Sequence, residues 1–297
     1  MRSLLDSRHK RSLMLIRIVL KSIIIFLLLP LYAMISLSIM ALPASRVQKR
    51  ARLIGNVSFF ARLGLRILGI HVVSRRTKRK GIRTLRSNYL VLANHLSYTD
   101  ILIVGSIIPS VFITSVELKH TFPLGLLAWF GGSIFVERRS PAGLRREIGE
   151  IEQVLSEGTA VALFPEGTTS NGETVRPFKN SLITAAIRTG TNLLPVCIRY
   201  RTVNGQPVNR ENRDSVYYYG GTTFFEHMPK LLALKSVQVE CVMLRPISAH
   251  QHHSRKDLAA RAHAVINAAY HERPLSRRRA EHAVFIADLR CADYDER

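Results

Sequence analysis

The sequence predicts an α/β layered domain behind membrane-associating helices, and three observations carry this. Short apolar runs of strand type alternate with helical spacing from Tyr89 to Tyr270, the pattern of a sheet covered by helices. Ser22 to Leu42 holds 21 residues without a charge, and at about 1.5 Å per residue this reaches across a hydrocarbon core of about 30 Å. Lysine and arginine number 43 against 21 acidic residues, a formal charge of +22, which draws the chain toward anionic partners.

From the N-terminus, the uncharged stretch is followed by basic residues (Arg46, Lys49, Arg50, Arg52) and lacks a clear cleavage site, so it reads as a retained anchor and not a leader. Basic clusters on both flanks and Pro30 within it leave a full crossing and a re-entrant hairpin both open. Ile54 to Val73 follows as one apolar helix with Arg62 and Arg66 four apart, either interfacial, with its arginines reaching headgroups, or core-packing. Seven cations lie between Arg75 and Arg86 with no acid among them, which suits an anionic bilayer surface. A nucleic-acid partner is not expected, because no helix-turn-helix, zinc module or aromatic-interleaved basic strand accompanies the charge.

The predicted strands are Tyr89–Ala93, Ser110–Thr114, Ser133–Val136, Thr159–Phe164, Asn192–Arg199 and Val237–Leu244. The predicted helices are Asp100–Ile108, Leu124–Phe130, Leu144–Glu157, Ser181–Thr189 and Arg255–Tyr270. The organisation expected is 1–73 as anchor and interfacial helices, 74–272 as the globular domain and 273–297 as a basic tail. Cys197, Cys241 and Cys291 form no C-x-x-C pair, and the first two, in apolar runs, read as buried and inert. His250, His252 and His253 sit in a polar loop and read as surface residues, so no metal is expected.

Three constellations carry chemistry. Asn94-His95-Leu96-Ser97-Tyr98-Thr99-Asp100 lies where a strand gives way to a helix. With His95 in the turn and Asp100 in the first helical turn, the carboxylate folds back on the imidazole, fixes its tautomer and leaves the other nitrogen as a general base. Ser97 and Asp100 also spell a helix capping box, which explains the aspartate without catalysis. Phe164-Pro165-Glu166-Gly167-Thr168-Thr169 ends a buried strand, where α/β sheets place ligands. Gly131-Gly132-Ser133-Ile134-Phe135-Val136-Glu137-Arg138-Arg139 ends in two fixed cations suited to phosphate, or to a solvated surface.

Together with Leu194-Pro195-Val196, the order N-H-x-x-x-x-D, G-x-x-F-V-E-R, F-P-E-G-T, L-P-V resembles the glycerolipid acyltransferase family over about Tyr89 to Tyr200, with weaker similarity to Tyr270. The resemblance implies a single layered domain, a mixed sheet flanked by helices, that transfers a fatty acyl group to the hydroxyl of a lysolipid. His95 is then the general base and Asp100 its orienting partner. Arg138, Glu166, Gly167 and Thr168 bind the acceptor. Asn94, Phe135, Phe164, Pro165 and Pro195 support the site. The donor is acyl-CoA or acyl carrier protein, with no cofactor. The acceptor expected is 1-acyl-sn-glycerol-3-phosphate, giving phosphatidic acid, and the location a bacterial inner membrane with the catalytic domain on its cytoplasmic face.

Two departures from the family pattern bear on the acceptor. Thr169 stands where an arginine is common, and Ser115 where a lysine is common. A lyso-ornithine lipid or another lysophospholipid is therefore an alternative acceptor, and Lys119, Arg139, Arg176 and Lys179 are candidate replacement cations. A non-catalytic membrane-binding protein of this fold is the alternative of another class.

Overall fold

The computed structural model describes residues 2–76, 88–119, 121–137, 141–250 and 254–272. Two helices lead the chain, α1 (Arg2–Ala41) and α2 (Arg46–Leu68). They form an antiparallel hairpin. Ser45 starts α2 with a capping box to Gln48, Asn56 donates to Ser36 at 2.9 Å within the interface, and Lys49 donates to the Met40 carbonyl at 2.8 Å. The helix starts far before Ser22, because the basic residues ahead of the apolar stretch are good helix formers and nothing breaks the turn. Lys21 donates to the carbonyls of Leu68 and Leu234 and Arg17 to that of Ala233. These cations cap helix C-termini instead of reaching headgroups.

The expected single helix Ile54–Val73 is corrected. Gly69, at φ 77°, closes α2 in the left-handed conformation, and the chain turns at once into β1 (Ile70–Arg76). A side chain at Gly69 would also strike the Lys235 carbonyl at 2.6 Å. The basic run beyond Arg76 up to residue 87 and the tail 273–297 lie outside the described residues.

The domain continues through β2 (Leu90–Ala93), α3 (Thr99–Ile107), β3 (Val111–Ser115), α4 (Val116–Lys119), α5 (Leu124–Phe130), β4 (Ile134–Val136), α6 (Pro141–Ser156) and β5 (Val161–Leu163). Then come α7 (Thr184–Thr189), β6 (Leu193–Val203), β7 (Gln206–Pro207), α8 (Phe224–Ala233), β8 (Val237–Met243) and α9 (Arg255–His271). The sheet order is β1-β8-β6-β2-β5-β3-β4, with β7 paired to β6. Pairing is parallel except for β6 with β7 and β8, so the mixed sheet is as expected.

Alternation along the central strands divides the core in two. Val91, Ala93, Ala162 and Phe164 face a cluster containing Leu65 and Leu68 of α2, Ile103 of α3 and Leu231 of α8. Leu90, Leu92, Val161 and Leu163 face Ile151 and Leu155 of α6, Ala185 of α7 and Leu258 of α9. Helices thus cover both faces of the sheet, which explains the unbroken apolar runs of β2 and β5. Cys197 and Cys241 are buried in β6 and β8, and burial pushes both thiols up to about 12. Cys291, His252 and His253 lie outside the described residues, while His250 is exposed.

Candidate active site

The carboxyl ends of β2 and β5 lie side by side in the sheet, with Leu92 opposite Leu163, and the two chemistry-bearing loops leave from there. After β2, Asn94 continues the sheet by side chain: it donates to the Ile198 carbonyl at 3.0 Å and accepts from the Ile198 N–H at 2.7 Å. This two-way bond fixes where the strand ends and the loop begins. His95 follows in the turn, and Asp100 is the second residue of α3.

The imidazole and carboxylate meet. His95 Nδ1 lies 3.0 Å from Asp100 Oδ2, which also accepts from the backbone N–H of Leu96 at 2.6 Å and of Ser97 at 2.8 Å. Asp100 Oδ1 accepts from the Tyr200 hydroxyl at 2.7 Å. Asp100 is completely buried, and a carboxylate there without partners would cost several kcal/mol; four donors satisfy it. Only half of the capping box forms. Asp100 accepts the Ser97 N–H, but the Asp100 N–H goes to the Ser97 carbonyl and not to its hydroxyl.

The His95 ring stacks on Phe164, with centroids 4.0 Å apart and planes 14° from parallel. Its backbone is held on both sides. The His95 N–H donates to Glu166 Oε1 at 2.8 Å, and its carbonyl accepts from the Ser170 N–H at 3.1 Å. In the neutral tautomer whose Nδ1–H donates to Asp100, the lone pair lies on Nε2. The side chain is 16% exposed.

Pro165 and Glu166 form a turn closed by the Gly167 N–H on the Phe164 carbonyl at 3.1 Å, and Gly167 leaves it at φ 78°. Glu166 points inward. Its second oxygen accepts from the Arg176 N–H at 3.1 Å, so one carboxylate binds the His95 loop to the segment before α7. Burial pushes its acid up to about 7, against the two backbone hydrogen bonds that favour the charge. Thr168 is exposed at the outer edge of the loop.

Phe135 is half-buried in β4 opposite Thr114, and the Glu137 N–H donates to buried Glu147. Arg138 and Arg139, which follow, lie outside the described residues. Pro195 is buried within β6 opposite Leu92, and its carbonyl accepts from the Leu244 N–H at 2.9 Å. A pocket of about 350 Å³ opens behind the turn, lined by Leu144, Leu163, Pro165, Phe178, Lys179 and Asn180. It lies on the α6 side of the sheet and does not include His95. Among the described residues no group of three histidine, cysteine or acidic side chains could hold a metal ion.

Sequence reasoning missed Tyr200 and the aromatic seat under the loop. Tyr98 bonds buried His227 of α8, hydroxyl to Nδ1, at 3.0 Å, and Tyr218 donates its N–H to the Leu96 carbonyl at 2.9 Å. The signal available was a tyrosine on the same β6 run as Leu194-Pro195-Val196, five residues beyond Pro195.

The acyltransferase family profile matches residues 69–199. A lyso-ornithine lipid O-acyltransferase of Rhizobium meliloti is 31% identical over 59% of this chain and 62% of its own length, so the match spans less than two thirds of that protein. A protein of the same name from Brucella abortus is 30% identical over 68% of this chain and 76% of its own. A 1-acyl-sn-glycerol-3-phosphate acyltransferase of Neisseria gonorrhoeae is 37% identical over 41% and 48%. The crystal structure of PlsC, the 1-acyl-sn-glycerophosphate acyltransferase of Thermotoga maritima, superposes with a TM-score of 0.61 at 20% identity, covering 86% of this chain and 96% of that one. With the histidine–aspartate pair, the F-P-E-G turn and the sheet between them all in place, the chain belongs to the glycerolipid acyltransferase family.

Proposed function

We propose that this protein transfers a fatty acyl group from a thioester carrier to the free hydroxyl of a lysolipid at a membrane surface. The observation that carries the reading is the His95 ring, tied through Nδ1 to buried Asp100 and stacked on Phe164, which leaves Nε2 as an oriented base. Nε2 takes the proton of the lysolipid hydroxyl as its oxygen attacks the thioester carbonyl. The carbon–sulfur bond then breaks, and the departing thiolate takes that proton from the imidazolium, releasing the thiol of CoA or acyl carrier protein. Asp100 stabilises the imidazolium between the two steps. Glu166 is read as the residue that positions His95, since both of its oxygens are engaged by backbone N–H groups. Arg138 is read as an acceptor-headgroup cation, on the family resemblance.

The α1–α2 hairpin supports the membrane location. The stretch Arg11–Ala41 is long and apolar enough to cross a bilayer, yet α1 is bonded to the domain from Arg17 to Tyr32. That docking favours a helix lying in the interface, with Phe26, Leu27 and Met34 exposed toward lipid.

A second reading concerns the acceptor. The family's phosphate-monoester acceptor would meet Ser115 and Thr169 where cations are common. The lyso-ornithine relatives also align over more of this chain than the 1-acyl-sn-glycerol-3-phosphate relative does. A zwitterionic lyso-ornithine headgroup needs fewer cations, and these observations favour it. Arg176 and Lys179 are the cations nearest the turn by chain bonding, through their N–H groups to Glu166 and Pro165, and both side chains are exposed.

The test is acyl transfer by the full chain reconstituted in vesicles, with one labelled acyl thioester and a panel of lyso-ornithine lipid, lysophosphatidic acid and other lysophospholipids. Acylated product from at least one lysolipid supports the reading. Thioester hydrolysis alone, or no turnover with any acceptor, rejects it.

A further inference from the structure

The segment from Thr121 to Val136 contains no charged residue, although Leu126 and Trp129 of α5 are exposed. Phe122, Leu126 and Trp129 follow one another at intervals of four and three residues, one stripe on the helix and the turn before it. They are 69%, 47% and 46% exposed. A helix on an aqueous surface carries polar groups on its outer face; the outer stripe of α5 carries none.

The inner side of α5 is fixed. Gly125 passes so close to α4 that a side chain there would lie 2.2 Å from the Leu118 carbonyl. Phe130 is buried and meets the Tyr32 ring edge-on at 6.4 Å, and the Tyr32 hydroxyl donates to the Leu127 carbonyl at 3.1 Å. At Gly131 a side chain would crowd both the Tyr32 hydroxyl and Val57 at 3.0 Å. Tyr32 lies midway along the uncharged stretch of α1 and also packs against Phe60 of α2. Thus α5 is docked against the middle of the hairpin's uncharged stretch, and Leu31 and Met34 of α1 and Phe59 of α2 are exposed as well.

We propose that α5 is a third membrane-inserting element, whose Phe122, Leu126 and Trp129 enter the acyl-chain region of an anionic bilayer beside the α1–α2 hairpin. The inference rests on the membrane location proposed above and deepens it. Without α5 the hairpin alone would meet lipid; with it, the catalytic domain itself is seated, because α5 leads through Gly131 and Gly132 directly into β4 of the central sheet. The net charge of +22 complements an anionic surface, and a tryptophan suits the boundary between headgroups and chains.

Trp129 is the single tryptophan of the chain, so intrinsic fluorescence reads this site alone. The full chain is reconstituted in phosphatidylglycerol-containing vesicles, with and without lipids brominated on their acyl chains. The expected result is a blue-shifted emission, quenched severalfold by brominated chains and shielded from aqueous iodide. A Phe122→Ser/Leu126→Ser variant should keep its circular dichroism and lose most of that quenching. Vesicle flotation separates the two levels of the argument. Protein that floats while Trp129 is quenched by iodide and untouched by bromine overturns the α5 inference and leaves the hairpin reading standing. Protein that fails to associate with vesicles overturns both.

Discussion

The Tyr200 hydroxyl, on β6, donates to Asp100 Oδ1 at 2.7 Å while meeting the Thr99 hydroxyl at 2.6 Å. It approaches the oxygen that His95 does not use, so the carboxylate is clamped from the sheet on one side and from the loop on the other. Burial and the adjacent Asp100 charge keep the phenol protonated, raised well above its ordinary range, and so a donor at every working pH. Tyr200→Phe is expected to lower kcat roughly tenfold, about 1.4 kcal/mol, with KM for both substrates unchanged. A lowered melting temperature with kcat intact would assign Tyr200 to stability alone.

Glu166 gives a pH prediction. Its acid is raised to about 7 in the fold, mainly by burial, above its ordinary value, so the folded chain holds that proton more tightly than the unfolded chain. Stability relative to Glu166→Gln should therefore fall as pH rises from about 4.5 to about 7 and then level off, by at most about 3 kcal/mol. Urea midpoints of both proteins across that range measure it. A difference that grows with pH would reverse the assignment.

Glu240 of β8 receives Arg199, Arg201 and Arg75. Burial opposes its charge, but the arginines outweigh it and hold the carboxyl below the usual range. Arg199 is itself buried and carries on to the carbonyls of Ala269 and Glu272 at the end of α9. Glu240→Leu leaves that guanidinium without a counter-charge and should cost about 3 kcal/mol. An unchanged urea midpoint would show the pair to be dispensable.

Arg138→Ala is expected to raise KM for the lysolipid at least tenfold and leave that of the acyl thioester within about twofold, since about 1.5–3 kcal/mol is typical of a hydrogen bond to a charged group. Steady-state titration of each substrate separates the two. A change confined to the thioester would move Arg138 to the donor site.

How much of this could be read in the sequence follows from distance along the chain. His95 and Asp100 are five residues apart, and their meeting requires only that one end a strand turn and the other begin a helix; the spacing allowed it beside a plain helix cap, and the order of the motif blocks decided. The strands β2 and β5 were plain because both of their faces are buried. What escaped depends on remote partners. Tyr200 reaches Asp100 across 100 residues, and β1, which ends in two arginines, is a strand only because β8 pairs with it 167 residues later. The helix α8 contains Pro229 and a run of aromatics, a poor helical signal overridden by its packing under Tyr98 and against α1. Glu166, legible as a site residue, gave no hint that its carboxylate turns inward to hold the His95 backbone.

The central claim is that His95, oriented by Asp100, takes the proton from the acceptor hydroxyl. It is tested most directly by single-turnover acyl transfer with His95→Ala in vesicles, at saturating lysolipid and thioester, beside a melting curve of the same protein. The account predicts a rate at least roughly a hundredfold lower with the melting temperature nearly unchanged. A folded variant that transfers the acyl group at the rate of the parent would contradict it.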